Sequence, residues 1–99
     1  MLAKVAIVAL TALVAACGTP SSRFMGAEVG AYEVDGMTFR VFRRADEVEL
    51  LRSGGGLPRK SHVFLGAIVA IEAATGCPVR PRSMKGDQAL ITAAVDCID

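Results

Sequence analysis

Val29-Gly30-Ala31-Tyr32-Glu33-Val34-Asp35-Gly36-Met37-Thr38-Phe39-Arg40-Val41-Phe42-Arg43-Arg44 is the stretch from which the fold can be read. Asp35-Gly36 is a strong two-residue hairpin signal, because both central positions of the turn need positive φ. If Val34 pairs with Met37, then Tyr32 lies opposite Phe39 and Gly30 opposite Val41. One face of the hairpin is then apolar, with Tyr32, Val34, Met37, Phe39 and Val41. The other carries Glu33, Thr38, Arg40 and Arg44. Turn chemistry and alternation agree, which is what a self-consistent sequence shows. Val29 and Phe42 pair on the polar side, where they need a cover or a partner.

Asp46-Glu47 interrupts this pattern. Val48 to Arg52 follows as a third strand, with Val48 and Leu50 on one face, although Glu47 to Arg52 could also form a helical turn. Ser53-Gly54-Gly55-Gly56-Leu57-Pro58 is a flexible loop. A helix then runs from His62 to Thr75, with Ser61 as N-cap and Gly76 as the stop. Glu72 is its one charged residue, and Phe64, Leu65, Ile68, Val69 and Ile71 spread around the wheel. Such a helix is normally buried on more than one side. Either an end strand and the N-terminal tether wrap it, or a partner does. Val79 to Arg82 reads as a short strand, with a turn at Met84 to Asp87. Ala89 to Cys97 alternates, with Ala89, Ile91, Ala93, Val95 and Cys97 on one face. The fold class is α+β: a small antiparallel sheet of four or five strands with one apolar helix packed on it, in the order β-β-(β)-α-β-β.

Ahead of this domain lies an apolar run, Val5 to Ala16, behind Lys4. As a helix it would span about 18 Å, against a hydrocarbon core of about 30 Å, so it is too short to cross. A basic start, a short apolar run and small residues at the end make the layout of a cleaved secretory signal. Leu13-Val14-Ala15-Ala16-Cys17 resembles the lipobox of bacterial lipoprotein precursors. The resemblance covers residues 1–17 and concerns processing alone. It implies a diacylglycerol on the Cys17 sulfur, cleavage before Cys17 and acylation of the new amine. Several acyl chains hold a bilayer far better than one, since each buried CH₂ adds about 0.8 kcal/mol. In Gram-negative lipoproteins an aspartate after the cysteine usually retains the protein at the inner membrane. Gly18 stands there, which favours the outer membrane, with the domain in the periplasm. The expected layout is a signal peptide over 1–16, a lipidated Cys17 with a flexible tether over 17–27, and one domain over 28–99.

With Cys17 acylated, Cys77 and Cys97 remain, an even pair in an oxidising setting. A disulfide between them would contribute about 3 kcal/mol on the chain-entropy model. Zinc binding is disfavoured, since one distant histidine, His62, does not complete a metal spacing. Without Lys4, ten basic residues face ten acidic ones, which argues against nucleic acid as a partner.

No catalytic motif stands out. Gly54 to Ser61 (GGGLPRKS) resembles a phosphate-binding loop, but Arg59 replaces the needed glycine and Pro58 removes an N–H. Arg59, Lys60 and Ser61 at the helix start remain a candidate contact for an anion, against the plainer reading of a solvated basic loop. His62 lacks a visible serine–carboxylate or thiol arrangement. Glu28, Glu33, Asp35, Asp46, Glu47 and Glu49 read as a solvated edge. Arg40, Arg43 and Arg44 would join Arg80, Arg82 and Lys85 in a basic strip only if their strands are neighbours. The expected function is therefore a non-enzymatic envelope lipoprotein without cofactor or metal. Its partners are the membrane, through its lipid, and a protein partner or a second copy. The alternative is a small module that binds an anionic envelope component through the basic loop and hairpin arginines.

Overall fold

The computed structural model describes residues 20–97. The leader, the lipobox and Cys17 lie outside the described residues. A 3₁₀ turn, Ser22–Phe24, precedes strands β1 (Glu28–Val34), β2 (Met37–Arg44) and β3 (Glu47–Gly54). Helix α1 (Lys60–Thr75) follows, then β4 (Lys85–Gly86) and β5 (Leu90–Ala94). The strands form one antiparallel sheet in the order β1-β2-β3-β5-β4, so β3 is central. The α+β arrangement is as expected, and the undecided segment 48–52 is a strand.

The hairpin register follows from the turn. Asp35 and Gly36 have φ of 51° and 79°, and Val34 pairs with Met37, Tyr32 with Phe39 and Gly30 with Val41. Beyond Gly30 the pairing departs from expectation. A register shift lets Glu28, not Val29, face Phe42, and Val29 is left 46% exposed. Gly30 has a packing role too: a Cβ there would sit 2.8 Å from the Tyr32 ring, which folds back over it.

Helix and sheet share one core. Met37, Phe39, Val41, Val48, Leu50, Ile91, Ala93 and Val95 point inward from the strands, and Val63, Ala67, Ala70 and Ile71 meet them from α1. These helix positions recur at three- and four-residue spacing, so a helix apolar all round buries a single stripe. Small residues on that stripe let it approach closely. A Cβ on Gly66 would lie 3.0 Å from Met37 Cε and 3.1 Å from the Phe39 ring.

Ser61 is not the N-cap. Val63 N–H already donates to Arg59 O at 3.0 Å, so the helix begins at Lys60 with Arg59 as cap and no side-chain capping bond. Lys60 Nζ lies over the Phe64 ring, 5.3 Å from its centre. Gly76 ends the helix as expected, at φ 71° with its N–H on Glu72 O. Thr75 Oγ1 then accepts from Cys77 N–H at 3.1 Å. Cys77 and Cys97 are joined by a disulfide, with Cα atoms 4.9 Å apart, tying the helix end to the chain beyond β5.

The expected strand at Val79–Arg82 shrinks to one bridge, Val79 with Val95, and the paired segment falls instead on Lys85–Gly86, where a turn was expected. Arg82 takes φ of 64°, which breaks an extended run. Ser83 Oγ stands in for the missing ladder, accepting from Ala94 N–H at 3.0 Å and donating to Arg80 O at 2.7 Å. The turn lies later, where Asp87 Oδ1 accepts from Ala89 N–H at 2.8 Å and Leu90 N–H at 2.9 Å.

Two outcomes are expected. Gly66→Val should lower unfolding free energy by about 1–3 kcal/mol through overpacking, read as a lower urea midpoint; an unchanged midpoint would mean that the helix can lift off the sheet. The Leu90 and Ala89 N–H groups hold the Asp87 carboxyl below its usual range. A depressed carboxyl adds stability above its unfolded value, near pH 4, that is lost as pH falls through the folded value. The stability gap between the parent and Asp87→Asn should therefore narrow below about pH 4 in urea titrations. A gap constant from neutral to acid would contradict this.

Candidate functional site

The outward face of the sheet is the less expected half of the molecule. Alternation along the strands places Thr38, Arg40, Phe42, Arg44, Glu47, Glu49, Leu51, Leu90, Thr92 and Ala94 there. Phe42 is 2% exposed on this face, and the 3₁₀ turn beside β2 brings the equally buried Phe24. Glu49, on the central strand, is also 2% exposed. It is therefore not part of a solvated edge. Ser21 N–H donates to Glu49 Oε2 at 2.9 Å, and Ser21 Oγ–H donates to Oε1 at 2.9 Å. Arg23 pairs with Glu47, Arg44 Nε donates to Arg23 O, and Arg43 N–H donates to Ala27 O at 3.0 Å. The stretch expected to be tether is thus docked from Ser21 onward. Beside it lies a cleft of about 270 Å³, bounded by Arg23, Phe24, Glu47, Ser83, Lys85 and Thr92.

A second groove, about 150 Å³, runs between α1 and the hairpin turn, lined by Val34, Asp35, His62, Leu65, Gly66 and Val69. Leu65 and Val69 are 65% and 54% exposed, one turn apart on the side of α1 away from the core. His62 Nε2 stands 3.6 Å from Asp35 Oδ2, with both side chains largely in solvent. This brings a histidine to a carboxylate in a groove. The distance exceeds a hydrogen bond, and the rest of the lining is aliphatic or glycine, with neither a nucleophile nor a donor for a developing oxyanion. The pair connects the hairpin turn to the first turn of the helix.

The basic residues are dispersed. Arg59, Lys60 and Ser61 are exposed at the start of α1. Arg44 lies at the far end of β2 from Met37, beside which the loop to α1 departs, a separation of about 24 Å along the strand. β3 and β5 separate the β2 arginines from Lys85. Arg40 pairs with Glu28 at 2.8 Å and lies over the Phe42 ring; the Glu28 hydrogen bond raises its pKa. Arg80 pairs with Asp96 at 2.8 Å, which likewise raises its pKa. Arg43 donates to Ala45 O and to Cys97 Sγ. The strip that neighbouring strands would have made is not assembled.

Among the described residues, no group of three His, Cys, Asp or Glu side chains is placed to hold a metal ion, and no helix is long and apolar enough to cross a membrane. No protein-family model, curated protein or solved structure matches this chain.

Sequence reasoning missed Glu49 and Ser21. The one signal was Phe42, an aromatic on the polar face that required a cover. Glu49→Ala leaves the Ser21 donors unanswered against a buried surface and should cost about 1–3 kcal/mol. It should also raise hydrogen exchange at Phe24 N–H, which Ser21 O now accepts at 2.9 Å. Unchanged stability and protection would show that the segment docks without this carboxyl.

Proposed function

We propose that this chain is an exported, lipid-anchored envelope protein with no catalytic activity, which works by docking a protein partner. The observation that carries the docking is the Leu65–Val69 ridge. Two large aliphatic side chains stand in solvent beside a groove, on a helix whose other stripe is already sealed in the core. Full exposure of such side chains forgoes about 1.5–3 kcal/mol each, a gain that a partner surface recovers. The ridge adjoins β1, an edge strand with a free hydrogen-bonding side, so a partner can use both aliphatic contact and backbone pairing. The lipobox at Leu13 to Cys17 supplies the anchor in this reading, and Gly18 favours the outer membrane. The non-enzymatic reading draws on the aliphatic lining around His62 and Asp35. Nothing in the placement of Arg59 and Lys60 favours the anion-binding alternative.

The test uses full-length protein expressed in a bacterium and extracted from membranes in detergent. Its intact mass should correspond to a chain starting at Cys17 and carrying acyl groups. A photo-crosslinking residue at Leu65 or Val69 should give a discrete protein adduct in membranes, and one at Arg82 should not. An unmodified mass, or a start elsewhere, removes the anchor. Equal crosslinking from all three positions removes the ridge as the docking surface.

A further inference from the structure

The docked N-terminal segment fixes how the domain meets a bilayer. Cys17 and Ser21 are separated by four Cα steps, which span at most about 14 Å even when fully extended. Ser21 is held at Glu49, on the outward face of the central strand. From there each lateral sheet edge is two strands away, about 10 Å. The nearest strand end, at Glu47, is two residues away, about 7 Å. Passing either margin still leaves a helix layer about 10 Å deep. The shortest path from Ser21 to the far side of α1 therefore exceeds about 17 Å, longer than the leash.

Resting on the lipid-anchored reading above, we infer that the outward sheet face, with the Ser21–Ala27 segment on it, is the side turned toward the lipid bilayer, and that the Leu65–Val69 ridge points away from it. The leash sets the orientation. The face itself is balanced, with Arg23, Arg40, Arg44 and Lys85 against Glu28, Glu33, Glu47 and Glu49. It has no excess of basic charge to draw anionic headgroups. Met25 and Leu90, 55% and 37% exposed, are the apolar residues it offers to the interface. The orientation leaves the helix groove open to the compartment, within reach of a partner.

The test places the isotope-labelled protein, purified from membranes, in phosphatidylcholine nanodiscs doped with a gadolinium-chelating lipid. Paramagnetic broadening should be at least about tenfold stronger at Lys85 and Thr92 amides than at Leu65 and Val69, since it falls with the sixth power of distance across layers of about 10 Å. The pattern should be unchanged by salt or by adding phosphatidylglycerol. A twelve-residue Gly-Ser insertion after Gly18, which leaves the domain untouched, should reduce the preference to below about twofold, because its reach then exceeds the domain thickness. Stronger broadening at Leu65 and Val69, or equal broadening in the parent, overturns the inference. So does a preference that survives the insertion, since the face and not the leash would then orient the domain. Protein that does not stay on the discs at all refutes the lipid anchor, a separate and recognisable outcome.

Discussion

A carboxyl group closed off in the middle of a sheet must be answered by donors, and Ser21 answers Glu49 with two. Leaving such a group unmatched would cost several kcal/mol. Glu49 therefore acts as a fixed address for the chain that precedes the domain. Once Ser21 is seated, the chain must cross the outer face to reach β1. On the way Phe24 comes down beside β2, and Phe42, which a bare face would leave in water, is covered. The Arg23–Glu47 pair adds little by comparison, since both side chains are more than half exposed.

Much of the inward half of the fold was legible because local and global signals coincide there. Asp35-Gly36 specifies a turn, the turn specifies a register, and the register sorts apolar from polar residues. The alternation of the last strand likewise points Cys97 inward, within reach of Cys77 just past the helix stop at Gly76. The outward half was hidden for a physical reason. Glu49 on an alternating strand has the appearance of a surface residue until a distant serine is known to meet it, and nothing within the strand announces a partner 28 residues away. Ser21 in turn sits among Gly, Thr, Pro and Ser, a composition that reads as linker. The β4 position was missed similarly. Ser83 replaces ladder bonds with its hydroxyl, and such side-chain substitution leaves no periodicity to detect. Ser61 failed as a cap because the first helical bond closes on Arg59, so a good capping residue fell two positions past the cap, inside the helix.

The apolar helix raised the sharpest question in the sequence: one small sheet cannot surround it. From Ser21 onward the N-terminal segment lies on the opposite face, so its described residues do not wrap the helix. Val79 and Met84 extend the core near the disulfide, but Leu65 and Val69 remain in solvent. Of the two ways to cover the helix, the intramolecular one is therefore only partly used. The remainder is a ridge narrow enough for a small domain to carry in water and apolar enough to reward a partner.

The two faces are linked through this division of labour. Had the N-terminal segment folded over the helix, it would have covered the Leu65–Val69 ridge. Docking it on Glu49 does the reverse. It covers the sheet's outward aromatic and keeps the helix groove clear. Ser21 supplies two donors to Glu49, so this one carboxyl fixes where the segment begins its path across the sheet. A buried acid thus sets the path of the N-terminal segment, on the side of the sheet opposite the groove that holds His62.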